Sequence, residues 1–282
     1  MLTAFTRFLG YFTYLQKSFG FYGAVLFMFY YMLARLRGDR QGRLHYIPLG
    51  PYAFYFPSVL YFAGLFNEIF FKEEYYLDPT DASLRVLDCG ANIGISLLYI
   101  KLRVPNARVT CFEPNPAARA VLEKNIQANS WQDSVEVFPY ALGVTAGKAQ
   151  FTTGTIDTDS GGRLVPNAHR NAQDSYEVSV EPLSRFIIAP IDFLKIDIEG
   201  AEFDVLEEAA AAGVLHNVSY IQLEYHDEPG VFDRPLSDML RLLETEGFTT
   251  AVHSPIHPHL MKNGWRRNCI VYAWRVFAKI KP

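Results

Sequence analysis

The chain has 282 residues, 50% of them hydrophobic and 20% charged, enough apolar material to bury one main core plus an extension. A formal net charge of -4 at pH 7 and a pI near 6.0 argue against a nucleic-acid binder, which usually carries a basic face. Cys89, Cys111 and Cys269 stand in apolar, strand-like runs without C-x-x-C spacing. That pattern fits reduced core thiols in a cytoplasmic protein and excludes a disulfide framework or zinc site.

From Met1 to Ala34 the only charges are Arg7 and Lys17, and Ser18–Ala34 is an uncharged run of 17 residues rich in Phe and Tyr. As a helix it would span roughly 26 Å, slightly short of the ~30 Å hydrocarbon core of a membrane. Arg35, Arg37, Arg40 and Arg43 follow, against a single acid, Asp39. No A-x-A cleavage site marks a secretory signal. Two readings of residues 1–43 stand side by side. Aromatics at headgroup level beside basic residues suit contact with a membrane surface, which would make the protein peripheral to a membrane. The alternative is a helical extension packed on the catalytic domain or on a second subunit of a homo-oligomer.

Residues 44–80 carry Pro48, Gly50, Pro51 and Pro57 between short aromatic runs. They predict a hairpin or two leading into a helix over Tyr61–Phe71. The main domain, 81–282, then alternates strand and helix: Arg85–Asp88, Gly94–Leu102, Arg108–Glu113, Pro116–Asn129 and Val135–Pro139. This is the βαβ signature of a mostly parallel, doubly wound, Rossmann-like α/β sheet. Two alternating strands, Lys148–Thr152 and Tyr176–Val180, flank a polar stretch, Gly154–Ser175, long enough to be expected to close over a ligand. Strand Phe193–Ile198, helix Ala201–Ala212, strand Val218–Glu224, helix Leu236–Glu246 and strand Ile270–Val276 complete the prediction.

The most informative stretch is Val86–Gly94, VLDCGANIG, followed by a strand that ends in Glu113. A strand, a glycine turn, a helix and a second strand ending in an acid bind an adenosine-containing ligand above the carboxyl ends of the strands. Glu113 is placed to accept both ribose hydroxyls. Gly90 would let the backbone approach the ligand, and Gly94 would permit close helix–strand packing. A dinucleotide site requires G-x-G-x-x-G, with a pyrophosphate on the helix N-terminus. Here the spacing is D-x-G-x-x-x-G. Asp88 would repel a pyrophosphate and suits a cationic ligand, so S-adenosylmethionine fits where NAD does not. Asp88, Gly90, Asn92, Gly94 and Glu113 are therefore the expected donor-binding residues. Asn115 is expected on the ribose side. Strand Val135–Pro139 runs into Tyr140 and Ala141 without an acid for the adenine amino group, which leaves backbone groups around Ala141 or stacking by Tyr140 for that part.

VLDCGANIG, CFEPNP, LEKNIQAN, FPYALG, FLKIDIEGAEFDVLEEA and IQLEYHDE occur in the order seen in FkbM-type S-adenosylmethionine-dependent methyltransferases, and the chain resembles that family over about Tyr52–His253. The resemblance implies transfer of a methyl group to an oxygen, commonly a sugar or polyketide hydroxyl.

A second constellation follows the later strands. Asp197, Glu199 and Glu202 lie at or just past one strand end, and Glu224, His226 and Asp227 at the next. In a doubly wound sheet both ends open on the donor face. Methyl transfer to a hydroxyl needs a general base, a metal ion or both. Glu224, His226, Asp197 and Glu199 are the catalytic candidates, with His226 a base because its ordinary pKa lies near neutrality. Asp197 and Glu224 offer hard oxygens suited to Mg2+, and their separation also resembles that of the metal-binding acids of macrocin-type sugar O-methyltransferases. Asp197 could instead cap the next helix, and Glu202 could only complement its dipole. His253, His257 and His259 match no closed zinc spacing. The expected function is O-methylation of a hydroxyl on a sugar, glycolipid or secondary metabolite, so the partner is a small-molecule or glycan acceptor and not nucleic acid. The alternative is a catalytically silent methyltransferase-fold scaffold at a membrane surface.

Overall fold

The structure, a computed structural model, describes residues 20–34, 44–71, 74–152, 163–164, 175–226, 234–253 and 269–275, together with the single positions 16 and 38. The basic run Arg35, Arg37, Arg40 and Arg43, most of the polar stretch Gly154–Ser175, and Asp227, His257 and His259 lie outside the described residues.

Residues 20–34 are helical (α1). Next come the antiparallel hairpin β1 (His45–Leu49) and β2 (Tyr52–Phe56), then α2 (Val59–Phe66), which runs into a π-helical turn over Asn67–Phe71. The expected helix thus starts two residues earlier than Tyr61, because Ser58 Oγ accepts the Tyr61 amide as an N-cap. Phe54, Phe56, Phe62 and Phe66 are buried completely, and Phe27 of α1 joins them at 5.5 Å from Phe62 and 6.0 Å from Phe66. The α1 face that carries Ala24 and Phe27 therefore packs on the chain's own core. Among the described residues no helix is long and apolar enough to cross a membrane.

The main sheet contains β3 (Arg85–Cys89), β4 (Arg108–Phe112), β5 (Val135–Phe138), β10 (Ile191–Ile196), β11 (Val218–Tyr225), β12 (Thr249–His253) and β13 (Cys269–Trp274). Between them run β6 (Tyr140–Leu142), β7 (Gly147–Thr152), β8 (Arg163–Leu164) and β9 (Ser175–Glu181), which form a separate four-stranded sheet in the order β6-β9-β7-β8. The main sheet has the order β12-β13-β11-β10-β3-β4-β5. Its central strands are parallel, and β13 is antiparallel to both neighbours. Strands β3, β4 and β10 read as nearly continuous apolar runs because helices cover both faces of a parallel sheet. α3 (Ile95–Arg103) and α4 (Pro116–Ala128) lie between the early strands; α5 (Glu202–Ala211) and α6 (Leu236–Thr245) lie between the later ones. The order reverses between β3 and β10, and ligands bind at the carboxyl side of such a switch point. The doubly wound, Rossmann-like fold is the expected one. Strands β6 and β12 were not expected: β6 is three residues long, and β12 is an edge strand without the period-2 burial that betrays a strand.

The hairpin is fastened to the main domain by two asparagines of the α4 C-terminus. Asn125 Oδ1 accepts the Tyr55 amide at 2.7 Å and Asn129 Oδ1 accepts the Ala53 amide at 2.7 Å, while each Nδ2 donates back to the same strand. This satisfies backbone groups that a two-stranded ribbon would otherwise leave unpaired.

Candidate functional site

The glycine turn between β3 and α3 is closed by its own protein contacts. The amides of Gly90 and Ala91 both donate to Phe112 O at 3.0 Å, and Gly94 donates to Ala91 O at 2.8 Å. The Asn92 amide donates to Glu113 Oε2 at 2.8 Å, and Ile93 donates to Asn92 Oδ1 at 2.7 Å. Every amide from Gly90 to Gly94 therefore has an acceptor. The turn offers no nest of free N–H groups for a pyrophosphate, the feature on which a dinucleotide site depends.

Two residues of the turn have different reasons than expected. Gly90 has φ +83°, and a Cβ there would lie 1.8 Å from Asp197 O. The glycine is required by the end of β10, which crosses at that point. Gly94, at φ +92°, is the N-cap of α3, and its missing Cβ makes room for Leu122 of α4, so the close contact is between helices.

Asp88 does not face a ligand. It is wholly buried, Ser96 Oγ donates to its Oδ2 at 2.6 Å, and Lys195 Nζ lies 3.2 Å from its Oδ1. That last contact lacks hydrogen-bond alignment, so it is an ion pair. Lys195 is the register partner of Asp88 on β10. Its ammonium also donates to Gly90 O at 2.7 Å and lies 3.6 Å from Asp197 Oδ2. Burial alone would drive the ammonium toward the neutral form, but Asp88 and Asp197 more than reverse this and raise its pKa. The negative charge expected to attract a cationic donor is thus already matched inside the protein.

Glu113 stands where the sequence predicts, just past the carboxyl end of β4, with 6% of its surface exposed. Its Oε1 accepts the Asn115 amide at 2.7 Å and its Oε2 the Asn92 amide. Burial raises its pKa to about 7, with those two amides, Lys195 and Arg119 pulling the other way. Each oxygen keeps lone-pair capacity for a further donor. Asn115 has another employment: its Oδ1 accepts the Ala117 amide at 2.9 Å as the N-cap of α4, with Pro116 in the first turn. Ala141 lies in β6 opposite Val180, so its backbone belongs to the second sheet's ladder. Tyr140 stacks on Phe138 at 5.7 Å.

The second constellation gathers at the adjacent ends of β10 and β11. His226 Nδ1 lies 2.9 Å from Glu202 Oε1, and its Nε2 lies 3.3 Å from Glu199 Oε2 and 3.8 Å from Glu224 Oε1. Glu202 is more than a dipole partner. It is 2% exposed and accepts the amides of Ile198 and Gly200, which fixes the turn that holds Glu199 at φ 56°. Asp197 is not the helix cap; its Oδ2 accepts Tyr75 O–H at 3.3 Å.

Burial lowers the affinity of His226 for a proton, but the charge and hydrogen bond of Glu202, together with Asp197 and Glu199, raise its pKa to about 10. His226 is therefore an imidazolium at neutral pH and is not the neutral base expected from its ordinary pKa. A histidine whose pKa is higher folded than unfolded stabilises fully below the unfolded value near 6.5. That contribution is lost as pH rises toward about 10. Thermal stability should fall across this window, and His226→Asn should flatten the slope. An unchanged slope in the variant would refute the assignment.

Asp197, Glu199 and His226 can place one ligand atom each within 4.8 Å of one another. Glu224 is not in that set. Asp197 and Glu199 bring carboxylate oxygens to that set and His226 a ring nitrogen, its Nδ1 being engaged by Glu202. A groove of about 500 Å³ lined by Arg85, Arg108, Ser134 and Ile191 opens at the amino ends of the same strands, away from these groups.

Comparison with known proteins agrees with the geometry. The Methyltransferase FkbM domain matches residues 88–250, more than half of the chain. The 31-O-demethyl-FK506 methyltransferase FkbM of Streptomyces tacrolimicus is 30% identical over 220 residues, covering 66% of this chain and 81% of that one. The 2-O-methyltransferase NoeI of Sinorhizobium fredii is 29% identical over 160 residues, covering 51% and 63% respectively. The AMB antimetabolite synthetase AmbE of Pseudomonas aeruginosa is 31% identical over 251 residues, which are 73% of this chain but only 11% of that far longer protein. The chain belongs to the FkbM methyltransferase family.

Proposed function

We propose that the protein is an S-adenosylmethionine-dependent O-methyltransferase acting on a hydroxyl of a sugar, glycolipid or secondary metabolite. The observation that carries this reading is the placement of buried Glu113 and the Asp197–Glu199–His226–Glu224 group at the carboxyl ends of the strands on either side of the sheet reversal. The names of the two O-methyltransferase relatives support oxygen as the acceptor atom. A silent scaffold would be expected to have a degraded second site, whereas here the acids and the imidazole converge within hydrogen-bonding and ion-pair distances.

S-adenosylmethionine supplies an electrophilic methyl group on a cationic sulfonium. Glu113 accepts the ribose hydroxyls, and the closed turn from Gly90 to Gly94 forms the wall against which the donor lies. Asp197, fixed by Tyr75 and Lys195, keeps negative charge near the sulfonium. The acceptor hydroxyl enters beside Glu199 and Glu224. As its oxygen bonds to the methyl carbon and the sulfur–methyl bond breaks, its proton passes to this carboxylate pair. His226, already protonated, takes no proton; it holds both carboxylates in place and tempers their mutual repulsion.

Radiolabelled methyl transfer from S-adenosylmethionine to a panel of sugars, glycolipids and hydroxylated metabolites tests the reading. Glu224→Ala should lower turnover at least ~100-fold, the usual contribution of a positioned base, and leave donor affinity within about twofold. Full turnover in both Glu224→Ala and Glu199→Ala would remove the pair from the chemistry.

A further inference from the structure

The family match begins at residue 88, yet two phenols from earlier in the chain reach the crevice. Tyr61, on α2, receives a hydrogen bond from Asn92 Nδ2 at 2.7 Å. Asn92 is the residue of the glycine turn whose amide binds Glu113. No described residue accepts the proton of the Tyr61 hydroxyl. Glu113, Asp197 and Glu199 all act electrostatically on this phenol, so it is close to the ribose acid and to the second constellation alike. Burial keeps this phenol neutral and its proton in place.

The segment that follows is bolted to the sheet. Buried Gln222 of β11 donates to Glu74 O and accepts the Tyr76 amide at 3.1 Å. Tyr272 O–H donates to Glu74 O at 3.0 Å, and Tyr99 O–H donates to Tyr75 O at 2.7 Å. These contacts hold Tyr75 where its own hydroxyl reaches Asp197. Tyr61 and Tyr75 thus both reach the crevice from the chain before β3.

The donor assigned above carries a carboxylate on its methionyl arm, and a bound carboxylate requires hydrogen-bond donors. The turn has no free backbone amide to give, since all five are engaged. We infer that Tyr61 supplies one: its hydroxyl, oriented by Asn92, donates to the methionyl carboxylate of the bound S-adenosylmethionine. Tyr61 is then a donor-binding residue contributed from outside the matched family domain. This inference rests on the donor reading above.

Calorimetric titration of the full chain and of Tyr61→Phe tests it with two ligands that share the nucleoside. S-adenosylhomocysteine has the amino-acid arm, and 5′-methylthioadenosine lacks it. Tyr61→Phe keeps the ring and removes the hydroxyl, and with it the bond from Asn92 Nδ2; the ligand without the amino-acid arm reports any indirect effect of that loss on the nucleoside site. It should weaken S-adenosylhomocysteine about tenfold and change 5′-methylthioadenosine by less than about twofold. Equal losses for both ligands would assign Tyr61 a merely structural role and overturn the inference, as would no loss for either. If the wild-type chain bound neither ligand, the donor reading itself would fall and the inference with it. Normal wild-type binding with an indifferent Tyr61→Phe defeats the inference alone.

Discussion

Replacing Gly90 by alanine should abolish the folded state or lower its melting temperature by roughly 8–16 °C. A Cβ at this position would sit 1.8 Å from the carbonyl oxygen of Asp197 and 3.0 Å from its carbonyl carbon. Both are backbone atoms at the end of β10, so the overlap can be relieved only by moving the strand that carries Asp197. Positive φ adds roughly 1–2 kcal/mol, and separating two central strands forfeits ladder hydrogen bonds and core packing as well. A total of about 4 kcal/mol corresponds to roughly 8–16 °C in a domain of this size. Gly94→Ala is the internal comparison. It has a similar φ of +92°, but its Cβ would meet Leu122 Cδ1 at 2.8 Å, the far end of a flexible side chain. Its cost should stay near ~2 kcal/mol. Equal effects of the two substitutions in thermal unfolding would show that backbone strain, and not the approach of β10, decides the matter.

The second large effect concerns the buried ion pair. Lys195→Met should cost about 3–5 kcal/mol, because it leaves Asp88 wholly buried with Ser96 as its remaining polar partner. The double variant Asp88→Asn/Lys195→Met should recover a large part of that loss, because it leaves no uncompensated charge in the core. Denaturant midpoints of the wild type, the two single variants and the double variant measure the coupling. Additive losses would contradict the pairing. The same cycle corrects the view that Asp88 attracts the donor. Asp88→Asn should act on donor affinity only as far as it disturbs the turn through Lys195 and Gly90 O.

The path from β3 through the glycine turn to Glu113 was legible because its elements are consecutive in sequence and joined by short connections. Their strand, turn and helix signals fall in register with the chemistry they place. Glu113 was legible as an acid at the carboxyl end of its strand, where the structure has it buried against the turn. Asp88 and Asn115 also have protein partners, because a polar side chain near a ligand turn has local competitors for its attention. Asn115 stands immediately before Pro116, a helix-start pattern that signalled a cap. A lysine in the apolar strand FLKI likewise called for a buried partner, and Asp88, its neighbour across the ladder, supplies it.

Other features were not available from local pattern. Glu202 resembles any first-turn acid until its oxygens are seen to bind the Ile198 and Gly200 amides and the His226 ring. The high pKa of His226 arises from acids brought in by two different strand ends. Tyr61 and Tyr75 enter the site across 31 and 122 residues of sequence separation, through Asn92 and Asp197. Tertiary contacts of that span leave no periodic trace in the chain.

Glu113 and the closed glycine turn are proposed here as the site of an adenosyl sulfonium donor. Calorimetric titration of the wild type and of Glu113→Ala with S-adenosylmethionine, S-adenosylhomocysteine and NAD tests this assignment most directly. Both methionine-derived ligands should bind the wild type at micromolar concentration and a folded Glu113→Ala at least tenfold more weakly, and NAD should not bind. A folded wild-type protein that ignores both methionine-derived ligands, or a Glu113→Ala variant that binds them as well as the wild type, would contradict it.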